Sequence, residues 1–266
     1  MPINKIKNQR LVQKIKKQKK YSTNKAVFEI YGNRLIKKYT KIGDAVSDYQ
    51  LLKTIQKTFN HQKKESWNYR ALKVFDNPTK NSIEMEYIPG KTIRKAFANN
   101  RNPQIYYHMG KWLGILHKST KGSDFKRVIT FRDFADVNFI LVPEKKVAVA
   151  VDPGNYKNIM NHPSISIMTG AFSIQRGVLK GSSNYIKVWQ AIYYYLLGYL
   201  KGSKRKSLPL LKKGIKEVSR RQKVLWHYNK KLPLREKVIR SGEIISLIVK
   251  IKFLSFLLRI NNVQTF

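Results

Sequence analysis

The chain has 266 residues, with 54 Lys or Arg against 15 Asp or Glu and a formal charge of +39. Its 42% hydrophobic content, including 15 Tyr and 12 Phe, excludes global disorder and suffices for two lobes with a sizeable core. There is no cysteine, so disulfide frameworks, thiolate metal sites and cysteine nucleophiles are excluded.

The charge is unevenly spread. Residues 1–20 hold eight basic side chains and no acid, and Asn155–Phe266 holds 22 basic residues against Glu217, Glu236 and Glu243. Twelve of the fifteen acids fall between residues 21 and 154. So positive a field attracts polyanions: nucleic acid, an anionic membrane surface or a phosphorylated glycolipid. Residues 1–20 lack the apolar centre and small-residue cleavage site of a secretory signal and read as a basic arm.

AVFEIY and RLIKKY, joined by Gly32-Asn33, predict a hairpin. Asp44–Lys57 has apolar residues at Val46, Tyr49, Leu52 and Ile55, a helical spacing. Ala71–Phe75 and Ser82–Ile88 read as strands, and Pro89-Gly90 leads into a helix from Lys91. Ile105–Lys118 is amphipathic, with Tyr106, Met109, Trp112, Leu113 and Leu116 as core and His117 as a buried structural histidine.

Phe131–Gly154 carries the chemistry. Asn138–Val142 and Val147–Val151 read as short strands around a turn at Pro143–Lys146. That hairpin sets Asp133 and Asn138 before one strand and Asp152 after the other, at a common rim. Such oxygens suit Mg²⁺, which takes few protein ligands and shares phosphate oxygens. The plain alternative is a hairpin closed by Asx turns.

Beyond Gly154, Ser164–Gly181 shows no clear period, and Tyr185–Lys201 is apolar nearly all round, as a buried helix would be. Lys204–Arg221 reads as a basic helix. Ile244–Ile260 is nearly continuously apolar with Lys250, Lys252 and Arg259 embedded, too many cations for a span. Two readings stay open for it: a helix lying on a membrane surface, or a last helix packed on the body of the protein.

The order Phe131-Arg132-Asp133, four residues, Asn138, two strands, then Asp152-Pro153-Gly154 resembles the protein-kinase-like fold. It is nearer the aminoglycoside-phosphotransferase and lipopolysaccharide-core-kinase branches, whose loop reads H-[RG]-D-x-x-x-x-N before D-F-G. IEMEYIPGKTIRKAF resembles that family's hinge, and Leu116-His117 ends the helix before the loop as in its relatives.

The resemblance implies an α+β, two-lobed fold with a small antiparallel β-rich N-lobe and a larger, mainly helical C-lobe. It divides the chain into a basic arm (1–20), N-lobe (21–88), C-lobe (89–240, with the catalytic hairpin at 131–154) and basic apolar tail (241–266). It implies that Asp133 orients the acceptor hydroxyl with Arg132 beside it, that Asn138 and Asp152 hold Mg²⁺, and that Lys37, or alternatively Lys38, contacts ATP phosphates. Asp48 takes the place of the helix acid that pairs with that lysine, where the family has the longer Glu. Adenine would sit against main-chain groups near Glu86 and Ile88.

Three features depart from the family. There is no G-x-G-x-x-G, Phe131 replaces the loop His, and no A-P-E follows Gly154. The implied activity is ATP-dependent phosphate transfer to a hydroxyl of a small molecule or glycan, foremost a lipopolysaccharide core sugar or related anionic glycolipid; polycationic aminoglycosides would be repelled. The alternative is a pseudokinase or basic non-catalytic binder of nucleic acid or anionic membrane. Nucleic acid is the lesser of these, since no helix-turn-helix, zinc or RNA-recognition signature is visible. The expected location is the cytoplasm, with the tail offering attachment to the inner face of the cytoplasmic membrane.

Overall fold

A computed structural model describes residues 19–22, 26–41, 44–60, 66–75, 78–120, 127–131, 134–152, 160–182, 184–209, 211–228 and 234–263. The first sheet has the order β1-β2-β3-β5, from β1 (Lys19–Ser22), β2 (Ala26–Tyr31), β3 (Arg34–Tyr39) and β5 (Ser82–Glu86), all antiparallel. The β2–β3 turn is Gly32-Asn33, with Gly32 at φ 58°, the left-handed conformation a two-residue hairpin loop requires.

Helix α1 (Asp44–Phe59) packs on this sheet. Its buried positions are Ala45, Asp48, Leu51, Leu52, Ile55 and Phe59, while Val46 is exposed. The inward face is thus rotated from the one its apolar residues suggest, because Asp48 turns in to meet a lysine. The strand expected at Ala71–Phe75 is β4 (Asn68–Ala71), and Val74 makes only an isolated bridge to Met85.

The second sheet has the order β4-β9-β8-β6, with β6 (Lys91–Thr92), β8 (Phe139–Val142) and β9 (Val147–Ala150). The β8–β9 hairpin turns through Pro143–Lys145 and pairs Phe139 with Ala150. β4 adds in parallel to β9 and ties the hairpin to the segment after α1. A short pair, β7 (Val128–Ile129) with β10 (Met160–Asn161), forms a separate two-stranded sheet.

The remaining helices are α2 (Ile93–Asn100), α3 (Tyr106–Ser119), α4 (Ser164–Ser182), α5 (Tyr185–Ser203), α6 (Lys212–Tyr228) and α7 (Leu234–Val263). α3 and α5 pack backbone against backbone. Gly110 and Gly114 on one face Gly198 and Gly202 on the other, and a Cβ on Gly198 would lie 2.1 Å from the Tyr107 carbonyl. Only glycine permits that backbone approach.

α4 has no visible apolar period because small residues also face inward: Ser164, Ser166, Gly170, Ala171 and Gly177 are as buried as Ile167 and Ile174. α5 is buried, as its apolar composition suggests. The basic helix expected from Lys204 begins only at Lys212. Lys204 caps α5 at φ 53°, and Pro209 cannot continue a helix. In α7, Leu247, Ile251, Leu254 and Leu258 join the core and Ile244 is buried beside them in the helix, as the packed-helix reading requires of one face. No helix among the described residues is long and apolar enough to cross a membrane.

Candidate active site

Three segments distant in sequence meet at Lys37. Its neighbour in the strand, Lys38, points outward to Glu29 at 3.0 Å, as strand alternation dictates. Lys37 points inward, 8% exposed, with Nζ 3.0 Å from Asp48 Oδ2 on α1 and 3.3 Å from Asp152 Oδ1 just past β9. Asp48 therefore spans the gap despite its short side chain, with the Tyr39 hydroxyl donating to the same oxygen.

Burial alone would lower the Lys37 pKa, but Asp152 and Asp48 outweigh it and hold the ammonium above its ordinary value. Burial raises the Asp48 carboxyl against the pull of Lys37 and the Tyr39 hydrogen bond. The result is a fixed cation between two acids, one enclosed and one, Asp152, with a side chain 40% exposed toward solvent.

Asn138 comes to the same rim as Asp152. It ends a 3-10 turn over Asp136–Asn138, and its carbonyl accepts from the Val151 amide at 2.9 Å. An amide and a half-open carboxylate are donors that fit Mg²⁺ shared with phosphates. Among the described residues no cluster of three His, Asp or Glu is gathered. Arg132 and Asp133 lie outside the described residues.

The flanks of that pair are fixed by aromatic packing. Phe131 and Phe134 stack on one another at 5.7 Å and pack on Trp112, at 5.8 and 6.1 Å. Phe131, where the resemblance led one to expect a His, is 1% exposed, and its amide donates to Ser166 Oγ at 2.8 Å.

Sequence reasoning passed over Asp136, which is fully buried. Its carboxylate accepts from Arg94 Nη2 at 2.6 Å, from Ser173 Oγ at 2.7 Å and from the Tyr106 hydroxyl at 3.4 Å. A Cβ on Gly177 would sit 2.4 Å from Asp136 Oδ2, so glycine makes room for the carboxylate. The only sequence signal was an acid inside Asp-x4-Asn, with no hint of its partner on α2.

At the expected hinge, the Glu86 amide donates to the Lys73 carbonyl and the Tyr87 amide to the Asn33 carbonyl. The Glu86 carboxylate is held by Arg70 and by the Lys73 amide, and Ile88 joins the smaller core cluster. His117 is fully buried, edge-on to Tyr199, as expected of a structural histidine. A cavity of about 710 Å³ lined by Lys53, Trp67, Tyr69, Arg70, Lys145 and Lys146 contains none of Lys37, Asp48 or Asp152. Converging charges, not cavity size, mark the candidate site.

No protein-family model and no curated protein matches the chain. Solved structures do match. A choline/ethanolamine kinase family protein from Mesorhizobium loti aligns with TM-score 0.55 and 12% identity, over 98% of this chain and 100% of that one. A streptomycin–ATP–APH(2″)-IIa ternary complex gives 0.45 and 12%, over 83% and 96%. ADP-bound aminoglycoside phosphotransferase APH(2″)-Ib gives 0.42 and 14%, over 91% and 96%. The fold is protein-kinase-like: α+β, with an antiparallel N-terminal sheet and a helical C-terminal region.

Proposed function

We propose that this protein is an ATP-dependent phosphotransferase acting on a hydroxyl of a small-molecule or glycan acceptor. The observation that carries this reading is Lys37 held between Asp48 and Asp152, three residues gathered from a strand, a helix and the end of a hairpin. A structural ion pair needs one acid. The second, half-exposed carboxylate beside Asn138 suits Mg²⁺-phosphate.

In this reading Lys37 binds ATP phosphates and Asp48 fixes its ammonium. Asn138 and Asp152 would hold Mg²⁺, which neutralises charge on the phosphates. Asp133 orients the acceptor hydroxyl, whose oxygen bonds to the γ-phosphorus as the bond to the β–γ bridging oxygen breaks. The hydroxyl proton passes to Asp133 and ADP leaves. Arg132, next to Asp133 in sequence, would serve in the same loop, and main-chain groups near Glu86 and Ile88 would border the adenine. A chain of charge +39 favours an anionic acceptor, and a lipopolysaccharide core sugar or related glycolipid is our choice of class.

Thermal unfolding with and without Mg-ATP tests the binding step. Stabilisation at millimolar ligand is expected, and Asp152→Asn should weaken it. Asp133→Asn should abolish transfer to an accepted substrate while leaving that stabilisation intact. No stabilisation of the folded wild type would favour the non-catalytic binder, and full turnover by Asp133→Asn would remove the role given to that loop.

A further inference from the structure

α7 is apolar on two faces, yet among the described residues only one is buried. Ile244, Leu247, Ile251, Leu254 and Leu258 are buried against the helical body. Ile245, Val249, Phe253, Phe256 and Ile260 stand on the opposite side, between 40% and 63% exposed. Their spacing of four, four, three and four residues makes a continuous ridge about 22 Å long at 1.5 Å per residue. Phe253 meets Trp189 of α5 edge-on at 5.8 Å, and Tyr185 and Ile186, both 68% exposed, share Trp189's face one turn earlier. A surface helix ordinarily turns polar residues outward, so contiguous apolar exposure of this extent marks a contact surface.

We infer that this ridge is a docking face for an anionic lipid surface. Charge selects the occupant. Lys252 is exposed within the ridge, and Lys212, Lys213 and Lys216 are exposed on neighbouring α6. Glu243, at the start of the ridge, faces Arg176 at 3.8 Å. Two copies of a chain of charge +39 repel one another, which disfavours self-association through this face. Apolar area with flanking cations supplies the two signals that stable peripheral attachment needs. The inference stands apart from the phosphotransferase reading: ATP binding can fail while the protein still floats with lipid, and the reverse.

Flotation of the full chain with mixed phosphatidylglycerol–phosphatidylcholine vesicles, against pure phosphatidylcholine, tests the inference. Binding is expected on the anionic vesicles alone, weakening as salt rises. Ile245→Ser/Val249→Ser/Phe256→Ser alters only the exposed face and should melt like the wild type. Each large apolar side chain withheld from lipid lowers partitioning about tenfold, so the triple variant should stay unbound. A second measurement guards against misfolding: the chain has no cysteine, so Phe256→Cys carries a polarity-sensitive dye at one site, and its emission should shift to the blue on anionic vesicles. A folded triple variant that floats like the wild type, an unshifted dye, or a wild type that ignores both vesicles overturns the inference. So does a dimer in sedimentation that the triple variant abolishes, or retention by an acidic protein partner without lipid binding.

Discussion

Asp136→Ala perturbs the most enclosed charge beside the candidate site. The carboxylate has no exposed surface and takes hydrogen bonds from Arg94, Ser173 and Tyr106, while its own amide donates to Ser173 Oγ at 3.3 Å. Removing one partner of a buried pair costs about 3–5 kcal/mol, because the other charge is left behind. The Arg94 side chain is 34% exposed and regains some water, so the low end, about 3 kcal/mol, is expected. For a chain of this size that lowers Tm by roughly 10 °C. Urea unfolding followed by tryptophan emission measures it directly. The double variant Asp136→Leu/Arg94→Met removes both charges and should recover much of the loss. If Asp136→Ala unfolds within about 1 kcal/mol of wild type, or the double variant is no better than the single, the buried Asp136–Arg94 pair does not carry the cost assigned to it.

Glycine positions give opposite expectations by context. Gly198→Ala gains about 1 kcal/mol of helix propensity but drives a methyl to 2.1 Å from the Tyr107 carbonyl, so α5 must move off α3 and the net effect should be a loss of about 2 kcal/mol in urea unfolding. Gly242→Ala meets nothing within 4 Å and should instead stabilise α7; a stabilising Gly198→Ala would refute the packing account. Burial holds His117 down to about 3, and burial with Lys111 nearby holds His108 down to about 4, both below the ordinary 6.5. The unfolded chain therefore binds more protons, so this contribution is complete above about pH 6.5 and is lost as pH falls toward 3. His117→Gln should flatten the acid slope of Tm, and an unchanged slope would sink the assignment.

Local pattern determined much of the architecture. Gly32-Asn33 between two β-rich runs gave the hairpin, and the apolar runs on either side of Pro143–Lys145 gave β8 and β9. The amphipathic stretch before His117 gave α3, and the uniform apolarity of α5 announced its burial. These are short-range signals of turn chemistry and hydrophobic period, carried by neighbouring residues and readable without knowing the fold.

Tertiary structure decided what depends on distant partners. Asp48 rotates the buried face of α1 only because Lys37 and Tyr39 wait on β3. Asp136 is a lone acid in sequence and a clasp in space, since Arg94 and Ser173 lie 42 and 37 residues away. α4 hid because close packing uses Ser, Gly and Ala where a hydrophobic count expects Leu or Ile. In α7 both faces are apolar, so no period within the helix tells which one the body covers. That choice belongs to α4, α5 and α6, whose surfaces receive Leu247 and Ile251 and leave Val249 and Phe256 to solvent.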